Sequence, residues 1–313
     1  MSGSFDRSPA PSGPTQPGPR VEPGPRVEPG PRVEPGPRVE PGGAGGPSTG
    51  PAGEVPVRDA ATVVLLRDGD RGPEAYLLRR VRGMAFAAGM TVFPGGAVDP
   101  RDADADVGWV GPSPADWAGR FDAGERLARA LLCAAVRETF EESGVLLAGP
   151  SPEAVCSTDG AEWEADRLAL ERRETSLAGL LARRGLVLRA DLLRPWAHWI
   201  TPPGETRRRY DTRFLVAALP DGQSTRDVTS EADVVEWMRP ADALEQVRRG
   251  ERRMMPPTIV TLEELAPYRA VADVLAAGWT RQVRPVEPAL SLVDGRPVVT
   301  LPDGRVLRLG DMP

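Results

Sequence analysis

The chain has no lysine, a single histidine (His198) and two cysteines (Cys133 and Cys156) among its 313 residues. Each scarcity closes off a chemistry. Without lysine there is no amine for a Schiff base, so every basic contact falls to arginine. One histidine cannot build an imidazole-rich zinc site, and two cysteines are too few for a disulfide framework. A catalytic thiol needs a histidine partner. Cys133 lies instead in an apolar stretch and is expected to pack there, while His198, set among aromatic residues, reads as packed or hydrogen-bonded. No apolar run reaches the length of about 18 residues that a membrane span requires. Met1 to Arg7 contains no signal-peptide core, and the final Gly310-Asp311-Met312-Pro313 is not a peroxisomal address. The expected setting is the cytoplasm, with no membrane partner. A formal charge of −6 argues against nucleic acid as the partner, because phosphate backbones demand basic surfaces.

What is present falls into three parts. Residues 1–56 are rich in Pro, Gly and Ser, and Pro-Gly-Pro-Arg-Val-Glu recurs from Pro17, Pro23, Pro29 and Pro35. Such a segment buries too little apolar surface to offset its ordering entropy, and it reads as a disordered tail with polyproline character. Residues 57–280 alternate strand and helix patterns. Ala60–Arg67 and Ala75–Arg80 read as strands about a turn at Asp68–Gly72, and residues 162–185 read as helical. Leu193–Pro202, Arg209–Ala218 and Val234–Met238 read as later strands, followed by helices over Ala241–Arg249 and Leu262–Ala277. Residues 281–313 hold two alternating strands around Asp-Gly turns, a small β appendage.

The chemistry concentrates in Arg137–Val145. Glu138, Glu141 and Glu142 stand at i, i+3 and i+4, which places them on one helix face. Leu132, Val136 and Phe140 recur every fourth residue on the opposite side, and Gly144 supplies a C-terminal stop. Crowded carboxylates disfavour one another's ionisation, and a hard divalent cation such as Mg²⁺ or Mn²⁺ relieves that repulsion. Upstream, Met90–Phe93 reads as a short strand entering Pro94-Gly95-Gly96. Paired glycines let the backbone approach closely and offer a carbonyl to a metal; a simple tight turn is the alternative. Arg207, Arg208 and Arg209 place three guanidinium groups together, which suits a phosphate unless they only form a solvated basic turn.

Arg137-Glu138-x-x-Glu141-Glu142-x-Gly144-Val145, with Phe93-Pro94-Gly95-Gly96 ahead of it, resembles the Nudix box. The resemblance runs from about Ala60 to about Tyr268. It implies an α/β fold, the Nudix α/β/α sandwich with a mixed sheet, and divalent-metal-dependent hydrolysis of a small-molecule diphosphate. It further implies a metal set of Gly96, Glu138, Glu141, Glu142 and Glu231, and a catalytic set of Glu141, Glu231 and Arg137, with Arg137 orienting the glutamates. Glu231 enters because some members of the family carry a glutamate six positions before a late tryptophan, and 237 − 6 = 231. The chain departs from the box in one respect. From Gly96 to Arg137 the gap is 137 − 96 = 41 positions against 14 in the usual box, so 27 residues are inserted. The box's intermediate glutamate therefore has three candidates, Asp102, Glu125 and Arg129, with no choice among them. The insertion, with Trp109 and Trp117, reads equally as a substrate lid or as a surface excursion.

Within the family, Met84-Ala85-Phe86-x-x-Gly89, Trp196-x-x-Trp199-Ile200-Thr201-Pro202 and Arg209-Tyr210-Asp211-Thr212 resemble the acyl-coenzyme A diphosphatase branch. That resemblance implies cleavage of coenzyme A or acyl-CoA to adenosine 3′,5′-bisphosphate and (acyl-)phosphopantetheine. The alternatives are another diphosphate, ADP-ribose or NADH, or a non-catalytic nucleotide sensor. A homodimer is compatible with the sequence.

Overall fold

The computed structural model describes residues 55–81, 89–103, 106–204, 208–226, 232–293 and 296–308. The repeats, Met84-Ala85-Phe86, Arg207 and Glu231 lie outside the described residues.

The chain opens with β1 (Val57–Gly69) and β2 (Gly72–Arg80), then the short β3 (Thr91–Val92) and β4 (Gly95–Ala97). The insertion supplies α1 (Pro100–Ala103), β5 (Trp109–Val110) and α2 (Pro114–Phe121) before the long α3 (Glu125–Ser143). β6 (Ala148–Gly149), α4 (Ala161–Glu171), α5 (Leu177–Arg184) and β7 (Val187–Arg189) lead to β8 (Arg194–Ile200), β9 (Arg209–Ala218) and β10 (Ala232–Met238). α6 (Pro240–Arg248), α7 (Pro256–Leu265), α8 (Val271–Thr280) and β11 (Pro285–Val286) follow, and β12 (Ala289–Val293), β13 (Arg296–Thr300) and β14 (Val306–Arg308) close the chain.

The main sheet is mixed, in the order β10-β2-β1-β9-β8-β11, with β3 on β2 and β4 on β1. Its central strands are apolar on both faces because helices cover both. Ala61, Val63 and Leu65 of β1 join Leu215 and Ala217 of β9 in one core with α2, α3 and α5. The alternate residues Val64, Leu66, Phe214 and Val216 enter a second core with α6, α7 and α8. A strand buried on both sides reads as a continuous hydrophobic run, which is the pattern of Val63–Leu66.

Helical readings split where the chain turns. Residues 162–185 form α4 and α5, separated by a turn in which Arg173 has φ +61°. Residues 262–277 likewise divide between α7 and α8. The small C-terminal sheet has three strands, β12-β13-β14, where the pattern suggested two, and Val299 and Leu301 pack into the second core.

The insertion contributes Trp117 to the core. Trp117 is fully buried, with its ring centroid 5.2 Å from Phe121 and 6.1 Å from Trp279, so it cannot stack on a substrate base. Ser113 caps α2 through a reciprocal capping box with Asp116, which fixes where that helix begins.

Candidate active site

α3 carries the box. Its alanines and leucines favour helix, and it ends at Gly144, whose φ of +75° is a left-handed conformation glycine adopts without cost. Leu132, Val136 and Phe140 are fully buried, as their spacing predicts. The opposite face is not a solvated one: the Glu142 residue is only 8% exposed, and the Glu138 and Glu141 side chains 14% and 13%.

β4 explains that burial. Gly95 and Gly96 are not a tight turn but a strand paired with Thr62 and Ala61 of β1. A Cβ built on Gly96 would lie 2.4 Å from Glu138 Oε1, and one on Gly95 would lie 2.5 Å from the Ala61 carbonyl oxygen. Only glycine lets β4 lie this close to both β1 and the carboxylates. The Gly95 N–H donates to Glu142 Oε2 at 2.9 Å, which fixes that glutamate against the same strand.

Arg137 organises the remainder. Its Nη1 donates to Glu138 Oε1 at 2.7 Å and stands 3.5 Å from Glu141 Oε1. Its Nη2 donates to the Ala97 carbonyl at 3.0 Å. The far side of the guanidinium forks onto Asp102, Nε to Oδ1 at 3.1 Å and Nη2 to Oδ2 at 2.9 Å. Asp102 is 2% exposed and also accepts the Asp99 N–H. Among the three candidates for the intermediate position, the structure therefore selects Asp102. Glu125 stands on the exposed first turn of α3, and the Arg129 guanidinium lies 5.9 Å from the Trp109 ring centroid.

Burial by itself would lower the pKa of Arg137; Glu138 and Asp102 hold it well above its ordinary value. Glu141 is pushed up to about 7, first by burial and then by the charge of Glu138. These are the crowded hard-oxygen donors a divalent cation would relieve, and the Gly96 backbone lies against them, so the residues fit such an ion. Among the described residues, no three carboxylate, imidazole or thiol groups already converge on one point. Arg137 draws Glu138 and Glu141 toward itself, and Glu142 is held by Gly95.

The arginine cluster does not present three parallel guanidinium groups. Arg208 is exposed, but Arg209 is 6% exposed and spends its donors on the Thr201 carbonyl and Glu287. Arg208 precedes β9 whereas Arg209 opens it and is paired there, so Arg209, buried with these partners, is corrected from a substrate contact to a structural one. His198 is packed and hydrogen-bonded, with Nε2 2.5 Å from Asp211 Oδ1. Cys133 is fully buried, and burial pushes its thiol up to about 12.

A mixed sheet between helical layers, with a glutamate-bearing helix end laid on a paired-glycine strand, defines a Nudix-type fold and site. Known proteins agree. The NUDT19 Nudix domain family matches residues 122–265. The chain is 28% identical over 271 residues to the Gallus gallus protein named acyl-coenzyme A diphosphatase NUDT19, covering 69% of this chain and 70% of that one. It is 28% identical to the Homo sapiens protein of the same name, covering 65% of this chain and 63% of that one. A crystal structure of a NUDIX hydrolase from Alicyclobacillus acidocaldarius superposes with a TM-score of 0.58 at 29% identity, over 71% of this chain and 96% of that one. These likenesses support a Nudix hydrolase of the branch that the NUDT19 Nudix domain represents.

Proposed function

We propose that this chain hydrolyses a nucleoside-diphosphate-linked compound, with coenzyme A or acyl-CoA as the leading substrate. The observation that carries the reading is the box site itself: Arg137 gripping Glu138 beside the Gly96 backbone, with Glu141 and Glu142 on the same helical turn. The coenzyme A assignment draws its support from the names of the chicken and human relatives. Those matches leave about a third of each relative unaligned.

Glu138, Glu141, Glu142 and the Gly96 carbonyl are the groups assigned to hold Mg²⁺ or Mn²⁺. Bound there, such an ion would supply charge neutralisation at the diphosphate and would lower the pKa of the attacking water. Glu138 is paired with Arg137, and Gly95 keeps Glu142 turned toward β4. Glu141 is assigned to take the proton of the attacking water, because the Arg137 guanidinium compensates it less closely than Glu138. Glu231 is proposed as a further carboxylate from outside the box. The described chain that leads toward it is tied down at Arg226, whose N–H donates to the Ser143 carbonyl at the end of α3 at 2.9 Å.

The test is release of adenosine 3′,5′-bisphosphate from coenzyme A, or of a nucleoside monophosphate from ADP-ribose or NADH, with Mg²⁺ and after EDTA. Turnover of coenzyme A that EDTA abolishes is expected. Turnover confined to the other diphosphates would reassign the substrate, and binding without turnover of any would mark a nucleotide sensor.

A further inference from the structure

The last turn of α3 carries both Glu141 and Glu142, and its terminal carbonyls have no partners within the helix. Three different parts of the chain satisfy them. Gly144 N–H donates to the Phe140 carbonyl at 2.9 Å, as a helix cap ordinarily does. Arg167 of α4 sends Nη1 to the Glu141 carbonyl at 2.7 Å, and Arg226 N–H reaches the Ser143 carbonyl.

Arg167 is unusual for a residue on an outer helix. It is 1% exposed, and its guanidinium is surrounded by Glu164 at 2.7 Å and Glu171 at 3.0 Å. The second oxygen of Glu164 accepts from Arg226 Nη1 at 3.0 Å, and the Arg226 side chain lies across Gly144. Two arginines, one shared glutamate and two helix carbonyls therefore join α4, α3 and the chain after β9. A cation at a helix C-terminus also complements the negative end of the helix dipole.

We propose that Arg167, bridged to Arg226 by Glu164, is a positioning residue that holds the last turn of α3 and with it Glu141 and Glu142. The inference rests on the proposed function for its catalytic consequence but not for its structural one. A buried Arg ringed by carboxylates in a helix salt-bridge pattern reads in sequence as a surface ion pair; only its contact with the Glu141 carbonyl shows another purpose.

The experiment uses the full chain and combines amide hydrogen exchange with kinetics. In Arg167→Met the amides of Gly144 and Val145 should exchange on the order of 10-fold faster, while those of Leu131 to Ala135 keep their protection. Turnover kcat should fall by about 10- to 100-fold with little change in KM, as expected for misplaced catalytic groups. Arg167→Lys should recover part of both. Unchanged exchange at Gly144 and Val145 in a folded Arg167→Met protein would overturn the proposal. If that variant does not fold, Glu164→Gln loosens the same bridge, and native protection there would overturn it equally. Absence of Mg²⁺-dependent turnover in the wild type would count against the proposed function and leave the exchange result to judge the clamp.

Discussion

Arg137 and Asp102, 35 residues apart, form a buried two-point pair. With Asp102 six positions after Gly96, the extra residues fall between the pair; the fold brings the aspartate back to fix the guanidinium, which in turn fixes Glu138.

Asp102→Asn should therefore affect both folding and turnover. It removes one of the charges opposing Arg137 while keeping the shape; Glu138 stays paired with the guanidinium, and the loss should cost about 1–3 kcal/mol in urea unfolding. Arg137, less firmly held, orients Glu138 less well, so kcat should fall with KM little moved. Wild-type stability and turnover in this variant would remove Asp102 from the site.

Glu142→Gln tests the metal assignment. The amide preserves size and leaves an oxygen for Gly95 N–H, but the charge is gone. On the scale of losing a principal transition-state stabiliser, kcat should drop at least about 100-fold. Titration with Mn²⁺ followed by electron paramagnetic resonance should show weakened binding; unaltered binding together with normal turnover would refute the assignment.

Trp117→Ala distinguishes core from lid. Removing a fully buried indole leaves a cavity against Phe121 and Trp279, with an expected loss of about 3–5 kcal/mol in thermal or urea unfolding. At a temperature where the variant remains folded, KM should match the wild type. A raised KM with intact stability would restore a substrate role.

Arg208 is the described member of its cluster left to meet a 3′-phosphate. Coenzyme A should then be the better substrate than dephospho-coenzyme A, and Arg208→Ala should narrow the difference in kcat/KM. Arg209→Ala should instead lower stability, since it strips the Thr201 carbonyl and Glu287 of a buried donor. Equal kcat/KM for both substrates in the wild type would exclude Arg208 from phosphate recognition.

Asp59 offers a pH signature away from the box. Its pKa is raised above the ordinary 3.8, chiefly by burial and then by Asp211 beside it on β9, with Arg213 and His198 pulling the other way. A carboxyl whose folded pKa lies above its unfolded value stabilises the fold below the unfolded value, and that contribution is lost as pH rises through the folded value. Asp59→Asn should accordingly raise stability at neutral pH relative to the wild type, and the difference should close as pH falls toward 3.8. Urea midpoints measured from about pH 3.5 to about pH 8 would show whether the gap closes.

The sequence by itself determined the elements whose signals are local. The box glutamates share a helix face because of their spacing, Gly144 ends that helix because only glycine adopts its backbone freely, and the central strands read as apolar runs because helices bury both faces. What required the tertiary structure was every pairing across long separation. Asp102, Glu125 and Arg129 were equal in sequence because an insertion destroys counting; only the fold shows which carboxylate meets Arg137. Arg208 and Arg209 look alike as letters, yet the first lies exposed ahead of β9 and the second is buried at its start, against the Thr201 carbonyl and Glu287. Trp117 could have been a lid or a core residue, since an aromatic side chain serves both; Phe121 stands one turn away on α2, but Trp279 of α8 reaches the ring only in the folded chain. Arg167 reaches a carbonyl 26 residues away, and a backbone acceptor leaves no trace in the sequence of side chains.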